Sequence, residues 1–268
     1  MVFKRLLGRG GIPLEVDTVV ESGPVRPGSV LRGEVVVRAP ERSVEVESIS
    51  LDLVVGLKSG TTEYDDRPNF GHPSVSGWFT LEKGEEKRVP FRHRLRWESP
   101  VSEVNGQALG VFLGLSTEVE TKNGAKGQTD HDLVHVAALP LHEAVIDAFA
   151  VEGYLCDTAR IDDSSIPRTE SHLYLRQSFL LVDRLGGDGR PRELELTFFT
   201  NSVGCEIYLR KAALKTEDWR DKPPALRYVA AHHDIGRVDF AGEARQWISD
   251  VSLLRGHHAG EDDADDDY

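Results

Sequence analysis

The sequence predicts a mainly β protein built from two antiparallel β-sandwich domains, and three observations predict it. Apolar and polar residues alternate with a period of two in successive runs, turn-forming Gly and Pro separate those runs, and no helix-length periodic segment interrupts them before residue 140. Alternation marks strands with one buried face. Without helices between consecutive strands a parallel βαβ sheet is disfavoured, and two packed antiparallel sheets are preferred. The chain has 268 residues, 39% of them hydrophobic, which is too long for one sandwich of about 100 residues and rich enough for two modest cores.

The elements follow in order. Val16, Thr18 and Val20 set the beat of a first strand, ended by Ser22-Gly23-Pro24 and Arg26-Pro27-Gly28. Gly33, Val35 and Val37 carry the second, closed by Ala39-Pro40-Glu41. Ile49, Leu51, Leu53, Val55 and Leu57 alternate with polar or small residues in a long third strand. After Lys83-Gly84 come Val89, Phe91, His93, Leu95 and Trp97, then Val111, Leu113, Leu115, Thr117 and Val119. Near residue 140 the period changes. Leu141, Val145, Ala148, Phe149 and Glu152 fall on helical spacing between Pro140 and Gly153, which predicts a short linking helix.

Strand rhythm then returns in Leu173, Leu175, Gln177, Phe179 and Leu181, and in Leu194, Leu196 and Phe198 beyond the Gly186-Gly187-Asp188-Gly189 loop. Val203, Cys205, Ile207 and Leu209 add another strand, and Leu226, Tyr228 and Ala230 resume the pattern after Pro223-Pro224. A final helix is predicted from the stripe Phe240, Ala244, Trp247, Ile248, Val251 and Leu254, with Asp239 as N-cap and Gly256 closing it. The expected divisions are an N-terminal sandwich over 1–139, then the linking helix, C-terminal sandwich and final helix over 140–255, and a disordered acidic tail over 256–268.

The net charge of −13 disfavours nonspecific binding to nucleic acid. About half of it sits in Glu261, Asp262, Asp263, Asp265, Asp266 and Asp267, so body and tail are distinct. No run approaches the roughly 20 apolar residues of a membrane-spanning helix. The basic start Met1–Gly8 develops no signal-peptide core, so a cytoplasmic protein is expected. Phe3, Leu6 and Leu7 beside Lys4, Arg5 and Arg9 leave peripheral membrane attachment as a minor option. Two cysteines in strand-like segments, Cys156 and Cys205, fit reduced thiols in that compartment.

Particular residues carry a resemblance. Glu15-Val16-Asp17-Thr18-Val19-Val20, Pro27-Gly28 and Val30-Leu31-Arg32-Gly33-Glu34-Val35-Val36-Val37 resemble the N-terminus of the SpoOM sporulation-control family and its arrestin-like architecture. Val89-Pro90-Phe91-Arg92-His93-Arg94-Leu95, then Glu98-Ser99-Pro100, then Leu113–Val119 are similar to the next part of that pattern, although Arg96-Trp97 stands where a Leu-Pro pair is common. The resemblance extends over roughly residues 1–255. It implies a pair of arrestin-like sandwiches in a bacterial regulator that controls sporulation or development through protein–protein interactions, with no catalytic residues to carry over.

Recognisable catalytic motifs are missing: no Gly-x-Ser-x-Gly elbow, no P-loop, no His-Glu-x-x-His and no Cys-x-x-Cys. No enzyme activity, cofactor or metal is expected; the rival reading is an uncharacterised hydrolase or ligand-binding sandwich. The best metal candidate is His131, Asp132 and His135, with His142 and Glu143 nearby, but His131 and His135, which would share a strand face, stand about 13 Å apart, too far for one ion. The acidic tail lacks the spacing of an EF-hand loop. A more particular feature is the strand from Lys87 to Trp97, where Arg88, Arg92, Arg94 and Arg96 face away from the apolar row. These four are the candidate partner-binding residues, and other proteins with acidic or phosphorylated segments are the expected partners, held by guanidinium forks. A homo-oligomer is also allowed. The last 13 residues, extended to about 44 Å, could cover the same strand from within the chain.

Overall fold

The computed structural model describes residues 14–56, 69–122, 129–162, 166, 169, 171, 173–186, 189–212 and 223–254. Phe3, Lys4, Arg5, Leu6, Leu7 and Arg9, together with Leu57, Gly187, Asp188, Gly256 and the acidic tail, lie outside them. The chain is mainly β, with antiparallel pairing of every named strand and, among the described residues, two α-helices. It forms two compact units, one ending at Leu139 and including residues 173–175, the other holding the remainder from Pro140 onward.

In the first unit, β1 (Glu15–Val20), β2 (Val30–Arg38) and β6 (Glu86–Arg94) make one three-stranded sheet. The second sheet has the order β10 (Thr129–Leu133), β9 (Phe112–Thr121), β3 (Val44–Gly56) and β4 (Asn69–Gly71), with β5 (Phe79–Leu81) also on β3. β7 (Glu103–Val104) and β8 (Gln107–Ala108) form a small hairpin. Period-two alternation sends Val16, Leu31, Val35, Val37, Val89 and Phe91 from one sheet, and Ile49, Leu51, Leu53, Leu113, Leu115 and Val119 from the other, into a shared core.

Thr18 finds partners inside that core for both its hydroxyl and its main-chain N–H. The Thr18 and Thr117 hydroxyls meet at 2.7 Å, and the Thr18 main-chain N–H donates to the buried Asp130 carboxylate at 3.0 Å. Gly33, inside the Gly-x-Val-x-Val stretch, is glycine for a steric reason. A Cβ there would lie 2.5 Å from the Val19 carbonyl oxygen and 2.6 Å from the Phe91 ring.

The second unit starts with α1 (Pro140–Val151), which breaks at Gly153 in a left-handed conformation. A five-stranded meander follows: β11 (Tyr154–Asp162), β12 (Arg176–Asp183), β13 (Glu193–Thr200), β14 (Gly204–Lys211) and β15 (Leu226–Ala231). His232–Asp234 form a 3-10 turn rather than continuing a strand. α2 (Phe240–Leu253) then begins under the Asp239 cap, whose carboxylate accepts from the Gly242 N–H at 3.1 Å.

Among the described residues both helices pack on the same apolar sheet face. The His142 ring stacks on Phe198 at 4.2 Å, Trp247 stacks on Tyr228 at 4.6 Å, and Phe149 reaches Trp247 at 6.2 Å. His142 is buried and hydrogen-bonds the Thr200 hydroxyl at 2.8 Å. Burial first, and His232 second, push its pKa down to about 3.

Two outcomes follow from this packing. Gly33→Ala should lose about 1–3 kcal/mol in urea unfolding, whereas Gly77→Ala, where a Cβ meets nothing within 4 Å, should leave the midpoint unchanged. The unfolded chain protonates His142 near its ordinary pKa of about 6.5 while the folded chain does not until about 3. Its contribution is therefore intact above that ordinary value and declines as pH falls through the window, by up to about 1.4 kcal/mol per pH unit. His142→Phe should flatten the stability–pH curve there, and an unaltered slope would assign the acid sensitivity to other groups.

Candidate functional site

β6 pairs with β2 antiparallel in one continuous register, from Arg38 opposite Glu86 to Val30 opposite Arg94. Val89 and Phe91 point into the core, so Arg88, Arg92 and Arg94 lie on the outer face, all exposed; Arg96 just beyond the strand end is exposed too.

The four arginines divide by their neighbours. Arg88 is held by two carboxylates, Nη1 donating to Glu34 Oε1 at 2.6 Å and Nη2 standing 3.1 Å from Glu86 Oε1. The hydrogen bond and charge of Glu34 raise its pKa. Arg94 Nη1 donates to the Gly28 carbonyl at 2.7 Å. Arg92 stands directly opposite Arg32 of β2, an arrangement unfavourable by about 0.8 kcal/mol for charges about 5 Å apart in water. Among the described residues, Arg32, Arg92, Arg94 and Arg96 have no carboxylate within ion-pair distance. The cationic face is therefore Arg32, Arg92, Arg94 and Arg96, with Arg88 neutralised at one end.

Local chemistry fixes this end of the sheet. Gly28 adopts φ +77°, and a Cβ there would collide with the Trp97 ring at 2.7 Å. The Pro27-Gly28 turn thus exists where Trp97 can lie over it, and its carbonyl anchors Arg94. Ser29 Oγ donates to the Arg26 carbonyl at 2.6 Å, and Arg26 Nε donates to the Ala138 carbonyl at 3.1 Å, so Arg26 serves the fold. Behind the face, His93 is half-buried, its pKa lowered by burial, by His72 and by Arg96.

The sequence singled out Arg88, Arg92, Arg94 and Arg96, and the structure brings the last three together. Arg32 was missed; its outward parity on β2 was visible, but its pairing with Arg92 joins strands separated by three others. His131 lies on β10, His135 lies beyond its end, and His142 belongs to the second unit. Among the described residues no cluster of three or more His, Cys, Asp or Glu is arranged to hold a metal ion.

A second charged group went unread in the sequence. On the sheet face of the second unit opposite the helices, Arg160 Nη2 donates to Glu195 Oε2 at 3.1 Å, Arg176 Nη2 donates to Asp162, and Arg210 Nε stands 3.9 Å from Glu195 Oε1. Ser178 Oγ adds a bond to Glu195 Oε1 at 3.1 Å. Asp162, Arg176, Glu195 and Arg210 are all buried. Burial pushes the Arg210 pKa down to about 10 against the opposing pull of Glu195. Both carboxylates are occupied as acceptors of guanidinium bonds, which is the chemistry of a structural ion-pair network.

Comparison with known proteins accords with this architecture. Residues 3–212 match the family described as SpoOM protein. The chain is 28% identical over 209 residues to the sporulation-control protein spo0M of Bacillus subtilis (strain 168), spanning 76% of this chain and 78% of that protein. It shares its fold with the crystal structure of Spo0M from Bacillus subtilis, at a TM-score of 0.72 and 24% identity, over 90% of this chain and 99% of that one. With the family match covering all but the C-terminal part of the sequence, the chain belongs to the SpoOM family.

Proposed function

We propose that this protein is a non-enzymatic cytoplasmic regulator of sporulation or related development, acting by binding other proteins through the arginine face of β2 and β6. The observation that carries the reading is the grouping of Arg32, Arg92, Arg94 and Arg96 without carboxylate partners among the described residues, in a chain of net charge −13. A protein this acidic concentrates unneutralised guanidinium where it gains something by doing so, and forked guanidinium groups suit carboxylates and phosphates. Acidic or phosphorylated protein segments are the matching partners.

His142 stacks and hydrogen-bonds inside the helix–sheet core. Burial raises the thiol pKa values of Cys156 and Cys205 to about 11 and about 12, which keeps them as unreactive thiols. They sit on β11 and β14 with two strands between them, beyond disulfide reach, which suits a reducing compartment. No described helix is long and apolar enough to cross a membrane.

The triple variant Arg92→Glu, Arg94→Glu, Arg96→Glu tests the reading. It should fold with an unchanged circular dichroism spectrum and, in the source organism, reproduce the developmental defect of deleting the gene. Partners cross-linked to the wild-type protein at low salt should be lost from the variant, and lost from the wild type at about 0.5 M salt, where the screening length falls to about 4 Å. A folded variant with full developmental activity would remove the arginine face from the function.

A further inference from the structure

We propose that the outer edge of β6 receives an extended acidic segment of a partner protein as an added antiparallel strand; this rests on the partner-binding role proposed above and specifies how binding occurs. The ladder between β2 and β6 is bracketed by two backbone hydrogen bonds in the same register, Ala39 N to Glu85 O at 3.1 Å and Leu95 N to Ser29 O at 2.9 Å. In an antiparallel pair, residues that exchange bonds with the neighbour alternate with residues that turn N–H and C=O the other way. Lys87, Val89, Phe91 and His93 therefore bond to β2, and Arg88, Pro90, Arg92 and Arg94 direct their main-chain groups outward.

Among the described residues β6 is the last strand of its sheet, and those four residues are all exposed. Pro90 corroborates the assignment. Proline has no N–H to give, and it occupies a position whose N–H would leave the sheet, so it removes no ladder bond. The same residues that offer main-chain groups to an incoming strand carry the guanidinium groups of Arg92 and Arg94 on the outer face, with Arg32 one strand behind.

This coincidence selects the occupant. A second copy of β6 would set arginines against arginines, and like charges directly opposed are unfavourable, so the edge resists self-pairing. An acidic strand meets opposite charge instead. In antiparallel addition, residues opposite Arg92 and Arg94 share their face and turn their own N–H groups toward β6. The recognised segment therefore carries Asp or Glu at alternate positions, with acidic side chains over the arginines and main-chain bonds made by those same acidic residues.

The test titrates the full-length chain with synthetic peptides of one composition and one net charge, read by fluorescence anisotropy. The parent peptide alternates Glu with Val or Thr; a second groups the Glu residues consecutively; two more are the parent N-methylated either at the Glu residues or at the intervening ones. Methylation at the Glu residues should weaken binding about tenfold or more, since at least two hydrogen bonds are lost, and methylation of the intervening residues should change it less than about twofold. The grouped peptide should bind more weakly than the parent, and Arg92→Gln with Arg94→Gln should lower parent affinity about three- to tenfold. Equal binding of the two methylated isomers, or loss confined to the intervening set, would overturn strand addition and leave the arginine face standing. Absence of binding by every acidic peptide would remove both.

Discussion

The antiparallel ladder between β2 and β6 is the constraint on which the first unit depends. Its register holds from Arg38–Glu86 to Val30–Arg94 with no bulge. A slip of one residue would exchange the two faces of β6, bringing guanidinium groups into the core and expelling Val89 and Phe91. The penalty for burying an unpaired charge far exceeds the gain from any alternative apolar contact. The core thus fixes the register, and the register in turn decides which arginines gather, which one finds Glu34, and which main-chain groups stay unsatisfied by the sheet. Gly33 and Gly28 supply the close approaches that let Phe91 and Trp97 lock that arrangement.

The second unit applies the same alternation with different chemistry on its two faces. Along β13, Leu194, Leu196 and Phe198 meet the side of the sheet that carries the helices, and Glu195 and Thr197 meet the ion-pair network between them. Such a strand cannot shift by an odd number of residues, because any odd shift would set Glu195 against the helices. Buried pairs of this kind add little net stability compared with apolar packing. Their contribution here is to exclude the shifted pairings that an all-apolar sheet would tolerate.

The parts of the fold that were legible are those where one face is uniformly apolar. β6 and β9 show unbroken alternation because their inner side chains stay in the core, β3 shows it over Ile49–Leu53, past a bulge between Val46 and Ser48 that shifts its beat, and α2 shows its stripe because Trp247, Ile248 and Val251 face one way beneath the Asp239 cap. β10 was illegible as a strand: Thr129-Asp130-His131-Asp132-Leu133 has no apolar beat, since its buried position is an aspartate bonded to the Thr18 N–H. On β11 a bulge between Cys156 and Thr158 shifts the beat midway. β4, β5, β7 and β8 are two or three residues long, too short to display a period. Of the arginine face, the row on β6 was readable from parity alone. Its partner Arg32 was not, because no hairpin turn sets the register of strands that are distant in sequence. The network of Arg160, Asp162, Arg176, Glu195 and Arg210 was hidden for a simpler reason: a charged residue on a strand reads as solvent-facing until its partners are known.

Among the described residues β6 is an open edge whose outward main-chain groups belong to Arg88, Pro90, Arg92 and Arg94, and residue-resolved amide hydrogen exchange on the full-length protein tests this most directly. Val89, Phe91 and His93 should exchange slowly, while Arg88, Arg92 and Arg94, on the same strand and one position away, should exchange on the timescale of solvent-exposed amides. Uniform protection along Lys87–Arg94 would mean that the edge is already occupied and would contradict the account.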